Sequence, residues 1–136
     1  FCGTLDCCKH PSYQDLEGLR VSSHFFIDRS GRLFQYVSCL DRAWHAGVSS
    51  YEGRENCNDF SIGAELEGTD SAPYEQAQYE TLGRLTDALA EAYPIKYVTG
   101  HSMIAPLRKT DPGPAFDWLT YESLCTTGKP LCFPYV

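Results

Sequence analysis

Long apolar runs are missing from this 136-residue chain. No stretch approaches the roughly 20 residues that an α-helix needs to cross a bilayer, which excludes a helical membrane span. Basic residues are scarce, 11 Lys and Arg against 18 Asp and Glu, for a formal net charge of −7. Nucleic acids and anionic membranes call for a basic face, so neither is an expected partner. Internal repeats and low-complexity tracts are absent as well. Methionine occurs once, at Met103, and residue 1 is Phe. The expectation is therefore a processed chain or a stretch of a longer one, in which a secretory signal would not be visible.

What is present describes a globular protein. Apolar residues make up 43% and aromatics 13%, enough for one domain with a real core and too short for two. Seven cysteines, Cys2, Cys7, Cys8, Cys39, Cys57, Cys125 and Cys132, cannot all pair within one chain. The tandem C-x₂₋₄-C spacings of a zinc knuckle do not occur, so mostly free thiols and a reducing compartment are expected, with a bridge conceivable only in the terminal clusters.

Along the chain, residues 1–20 read as loop with one helical turn around residues 14–19. Residues 24–29 and 32–37 read as two strands of a hairpin, turned by Ser30-Gly31. In the second strand both faces carry apolar groups, as in a sheet covered on two sides. Residues 41–59 have no sustained period and read as a long loop, of the kind that usually carries function. Within it, Trp44-His45 either lines a cleft or plugs the edge of the core. A strand over 61–67 follows, then a helix opened by Pro73 and ended by Pro94. Its inner stripe is Leu82, Leu85, Leu89 and Ala92. Residues 96–100 read as a short strand delivering His101, 102–116 as a loop, Asp117 as the cap of a last helix, and 126–136 as a tail. The order implies an α/β domain: a mixed β-sheet with helices packed on its faces.

Two segments carry chemistry. Gly100-His101 … Lys109-Thr110-Asp111-Pro112-Gly113-Pro114 sets an imidazole, a carboxylate and an amine on a proline-stiffened stretch. His101 and Asp111 are ligands for a divalent ion of zinc type, and Lys109 can stabilise an oxyanion beside them. A loop histidine with a capping aspartate is the plainer reading of the same residues. In the strand 61–67, Ile62, Ala64 and Leu66 share one face, and Gly63, Glu65 and Glu67 the other. Glu65, at mid-strand, suits a general base; Glu67 is expected to be exposed or paired. Alone, that strand reads equally as a wet-faced edge.

Taken together, Arg20-Val21-Ser22-Ser23-His24, Arg42-Ala43-Trp44-His45-Ala46-Gly47-Val48-Ser49, Cys57-Asn58-Asp59-Phe60-Ser61-Ile62-Gly63 with Glu65-Leu66-Glu67-Gly68-Thr69, and Thr99-Gly100-His101 with Arg108-Lys109-Thr110-Asp111-Pro112-Gly113-Pro114-Ala115-Phe116-Asp117-Trp118 resemble the amidase-2 and peptidoglycan-recognition-protein superfamily. Within it the blocks are most similar to the AmpD-type N-acetylmuramoyl-L-alanine amidases of cell-wall recycling, from residue 1 to about residue 118. The resemblance implies a single catalytic domain over 1–136 that lacks its N-terminal segment and first strand. It implies Zn2+ as cofactor, held by His101, Asp111 and a third ligand upstream of Phe1. Glu65 matches the catalytic glutamate and Lys109 the lysine that assists the transition state; Arg20, Trp44 and Arg108 match substrate-binding residues. His24 matches a sheet histidine that is not a ligand. The implied substrate is an anhydromuropeptide, cut between the lactyl group of the muramic sugar and L-alanine, in the cytoplasm and with no obligatory protein partner. Because a domain short of a ligand and a strand is incomplete, the chain alone is expected to bind metal weakly and to be poorly active or unstable. Two other readings share these residues: a non-catalytic peptidoglycan-binding module, and a cell-wall lysin acting on intact murein.

Overall fold

The structure, a computed structural model, describes residues 21–134. The helical turn expected around residues 14–19, and Arg20, lie outside them. The elements are β1 (Phe25–Ile27), β2 (Leu33–Gln35), β3 (Ser50–Tyr51), β4 (Arg54–Glu55), β5 (Ala64–Leu66), α1 (Gln76–Ala92), α2 (His101–Ile104) and α3 (Trp118–Leu124). A 3₁₀ turn, Cys57–Asp59, precedes β5.

The sheet is mixed, as expected, with strand order β2-β1-β5. β1 runs antiparallel to β2 and parallel to β5, so that Phe25 lies beside Ala64, Phe26 beside Glu65 and Ile27 beside Leu66. Strand alternation then sorts the side chains. Phe25 and Ile27 enter the core with Tyr79, Leu82, Leu85, Phe116 and Tyr121 from the helical side. Phe26 goes to the opposite face, against Phe34 and Tyr36, and Glu65 shares that face. β2 is less covered than its apolar content suggested: Leu33 and Tyr36 are exposed.

The β1–β2 connection spans residues 28–32 instead of Ser30-Gly31 alone. The Gly31 N–H donates to the Asp28 carbonyl at 2.9 Å, and Gly31 sits at φ +83°, the left-handed conformation that closes such loops. The Asp28 carboxylate accepts from the Ser30 hydroxyl, the Ser30 and Arg32 N–H groups and the Arg32 side chain, which holds its pKa down at about 2.

α1 begins later than Pro73 implied. Glu75 is its N-cap, in a reciprocal capping box with Gln78. Tyr74, just before the cap, meets Tyr79 at 6.4 Å between rings, a hydrophobic staple on the same turn. Leu82 and Leu85 are buried as expected and Leu89 packs against the core. Ala92 is exposed, and Ala90 takes the last buried position instead. Asp117 caps α3 by accepting from the Thr120 N–H at 2.9 Å, as expected.

Three expectations are corrected. The segment 41–59 is not all loop: it holds the hairpin β3–β4, turned by Glu52 and Gly53 at positive φ, and the 3₁₀ turn. Residues 96–100 do not form a strand: Tyr97 makes an isolated parallel bridge with Cys132, and His101 starts the short helix α2, which takes in the first residues of the expected 102–116 loop. The segment from residue 126 is not a loose tail. The Asp87 carboxylate accepts the N–H groups of Thr126 and Thr127, and the Phe133 ring packs on Tyr121 at 5.3 Å. Among the described residues, Cys39, Cys57, Cys125 and Cys132 are free thiols, and no helix is long and apolar enough to cross a membrane.

Candidate active site

The parallel pairing of β1 and β5 carries Glu65 to the sheet face away from α1. Burial withdraws water from its carboxyl and raises its pKa from 4.5 to about 7. The Asp111 carboxylate pushes in the same direction, while His101 and Lys109 pull it back. His101, Lys109 and Asp111 therefore lie close enough to bear on the Glu65 carboxyl.

His101 and Asp111 meet directly, Nδ1 lying 3.1 Å from Oδ2, with their side chains 13% and 19% exposed. α2 supplies the histidine at its first residue. The Asp111 carbonyl accepts the Ser102 N–H at 2.8 Å, which ties the aspartate segment to that helix. Tyr74 adds a tie by donating its hydroxyl to the Pro112 carbonyl at 3.2 Å, and Thr110 donates to Asp70. Burial is the largest influence on the Asp111 carboxyl and pushes it up, but the opposing influences, His101 foremost among them, together outweigh it and the net pKa is lowered. The Lys109 N–H donates to the Ala105 carbonyl at 2.9 Å at the end of the turn after α2.

The second ring nitrogen of His101 settles what the pair can hold. Nε2 lies 3.0 Å from the Ala46 carbonyl oxygen, which can only accept. Nε2 therefore carries the proton, and in neutral imidazole Nδ1 presents its lone pair to a carboxylate oxygen. Two acceptors 3.1 Å apart need a cation between them, a proton or a metal ion. Two donors on one tetrahedral zinc ion stand roughly 3.3 Å apart, and metal-bound histidines donate their other N–H to a carbonyl or carboxylate in just this manner. The pair thus fits a metal as two of its donors. No cluster of three or more His, Cys, Asp or Glu suited to a metal occurs among the described residues.

The wall behind the pair is built from the 43–49 segment. His24, buried, accepts the Gly63 N–H on Nδ1 and donates from Nε2 to the Asp41 carbonyl. Its role is to hold strands and loop together, in keeping with a sheet histidine that is not a ligand. His45 faces it at 5.5 Å between rings and donates from Nε2 to Ser61, whose hydroxyl is spent on the Cys57 carbonyl. Burial and the neighbouring His24, His101 and Arg42 lower the His45 pKa to about 4, and its Nδ1 is buried without a hydrogen-bond partner among the described residues.

The residues matched to substrate binding are disposed differently from one another. Trp44 is 43% exposed, with the Arg42 guanidinium over its ring at 3.9 Å. Arg108 has Nη2 donating to the Ala46 carbonyl at 2.7 Å and the Val48 carbonyl at 2.9 Å, so part of its fork holds backbone. Arg20 is outside the described residues. Sequence reading missed Asn58, whose Oδ1 accepts the N–H groups of both His45 and Ala46. A buried asparagine in a polar stretch has no periodic signature; only its place just before β5 hinted at it.

A half-buried carboxyl raised to about 7, an imidazole–carboxylate pair and a lysine together are the kinds of group that a hydrolytic centre uses. Comparison with known proteins gives these groups a family. The family model described as N-acetylmuramoyl-L-alanine amidase matches residues 1–114, and the chain belongs to that family. It is 56% identical over 128 residues to the 1,6-anhydro-N-acetylmuramyl-L-alanine amidase AmpD of Citrobacter freundii, spanning 93% of this chain and 68% of that protein. In structure it matches a selenomethionine AmpD derivative with a TM-score of 0.79 and 54% identity, over 87% of this chain and 67% of that one. It also matches the E. coli amidase AmiD in complex with anhydro-N-acetylmuramic acid-L-Ala-D-γ-Glu-L-Lys, with a TM-score of 0.73 and 37% identity, over 83% of this chain and 51% of that one.

Proposed function

We propose that the protein is a zinc-dependent amidase of peptidoglycan recycling, acting in the cytoplasm. It hydrolyses the bond between the lactyl group of (1,6-anhydro)N-acetylmuramic acid and the L-alanine of the stem peptide. The observation that carries this is the Glu65 carboxyl, lifted to about 7 in the same neighbourhood as the His101–Asp111 pair. Membership of the amidase family and the likeness to AmpD supply the substrate class.

His101 and Asp111 would hold the zinc, with a third donor from outside the described residues. When bound, zinc supplies Lewis-acid polarisation of the amide carbonyl and of the attacking water. Glu65, near its midpoint at neutral pH, accepts the proton of the water as it attacks and returns it to the alanine nitrogen as the C–N bond breaks. Lys109 places an ammonium where negative charge grows on the carbonyl oxygen, a contribution typically among the largest in such reactions. Trp44, Arg108 and Arg20 are assigned to the substrate, the arginines to its carboxylates and the indole to an apolar face.

The test is product analysis after incubation with soluble anhydromuropeptide and, separately, with insoluble sacculi. Release of a stem peptide with a free L-alanine amine from the soluble substrate is expected. Cleavage of sacculi alone would identify a lysin, and binding without cleavage a recognition module.

A further inference from the structure

The Ala46 carbonyl is the group that decides which nitrogen of His101 carries a proton, and its aim is set from behind. Asn58 is buried, 6% exposed, in the 3₁₀ turn before β5. Its Oδ1 accepts the Ala46 N–H at 2.7 Å and the His45 N–H at 3.0 Å. One side-chain oxygen thus fixes two successive peptide units. At the next residue the chain turns through Gly47 at φ +60°, and the Ala46 carbonyl points to His101 Nε2 at 3.0 Å. Arg108 donates to the same carbonyl from the solvent side. Ala46 itself is fully buried, so no water can substitute for these donors without rearrangement.

We propose that Asn58 is a positioning residue for His101: by gripping the His45 and Ala46 N–H groups it aims the Ala46 carbonyl at Nε2–H and reserves the Nδ1 lone pair for the seat shared with Asp111. This rests on the reading of His101 and Asp111 as metal donors. Asn58 touches neither substrate nor metal; it acts through one backbone carbonyl. Outer partners of ligating histidines typically contribute 10–100-fold to metal affinity, and that is the loss expected when the grip is released.

The experiment uses the full polypeptide with two readouts. The first, without metal, is the His101 tautomer, from ¹⁵N ring shifts and long-range ¹H–¹⁵N correlations. The second is zinc affinity by competition with a chromophoric chelator. The wild type is expected to show the Nε2–H form of His101. Asn58→Ala is expected to mix the two tautomers and to weaken zinc binding 10–100-fold, while Asn58→Asp, which keeps the acceptor oxygen, restores both to within a few-fold. Should Asn58→Ala not fold, Asn58→Ser, too short to reach both N–H groups, takes its place. An unmixed Nε2–H tautomer and unchanged zinc affinity in the folded Ala or Ser variant would overturn the proposal. If the wild type binds no zinc but the tautomer still mixes on substitution, the metal reading fails and the positioning role stands.

Discussion

The imidazole of His101 and the carboxylate of Asp111 face each other across 3.1 Å with the ring's other nitrogen committed to the Ala46 carbonyl. That arrangement leaves a lone pair opposed to a negative oxygen. Such a seat favours a cation, and the proposal of a metal-assisted hydrolase grows from it.

Glu65→Gln is expected to lower turnover of anhydromuropeptide by about 10²–10⁴-fold, because the amide cannot take the proton from the attacking water. Substrate affinity should change little. Steady-state kinetics that show a KM effect with kcat preserved would assign Glu65 to binding instead of proton transfer.

The same substitution has a pH signature in stability. Folding raises the Glu65 pKa from 4.5 to about 7, so the folded state binds the proton more tightly. Stability from this group is full below about pH 4.5 and is lost as pH rises towards 7, by about 3 kcal/mol as an upper bound. His45 runs the other way: its pKa falls from 6.5 to about 4, so its contribution is full above pH 6.5 and lost as pH drops towards 4. The two slopes oppose each other in the wild type. Glu65→Gln removes only the first, so the variant should gain stability relative to wild type between about pH 5 and pH 7.5. Thermal melts of both metal-free proteins at the two pH values test this, and a constant difference would contradict it.

Gly63→Ala tests the wall behind the site. A Cβ there would collide with Cγ and Cδ2 of the His45 ring, and the ring is held by Ser61 and His24. A loss of about 1–3 kcal/mol is expected in chemical denaturation. Combining it with His45→Ala should recover part of the loss, since the clash disappears with the ring. Strict additivity of the two would show that the ring is not the obstacle.

Asp87→Ala tests whether the C-terminal segment is structural. Burial raises the Asp87 pKa, but hydrogen bonds from Thr126 and Thr127 outweigh it and the net shift is downward. Their loss should cost about 1–2 kcal/mol and increase amide exchange at Val98 and Cys132, which the bridge with Tyr97 protects. Unchanged exchange there would mean the segment docks independently of Asp87.

Much of this arrangement could be read in the sequence where a local pattern had a local cause. The leucines of α1 recur at helical spacing because one face is buried, and Asp117 caps α3 by a bond reaching only to Thr120. His101, Asp111, Lys109 and Glu65 were legible as reactive types near glycines and prolines, and the fold brings them into one electrostatic neighbourhood. What escaped was held by distant partners. The strands β3 and β4 are two residues each, with mostly exposed side chains, so no alternation marks them. The residue 126–134 segment is docked by a backbone bridge to Tyr97, and backbone bridges leave no trace in side-chain pattern. Asn58 works through two backbone N–H groups more than ten residues away, which composition cannot reveal.

The most direct test is a zinc titration of the full polypeptide beside Asp111→Ala. The account predicts one bound equivalent in the wild type and an affinity at least about tenfold lower in the variant, the size of loss expected for a donor or its support. Equal affinity in the two proteins would contradict it.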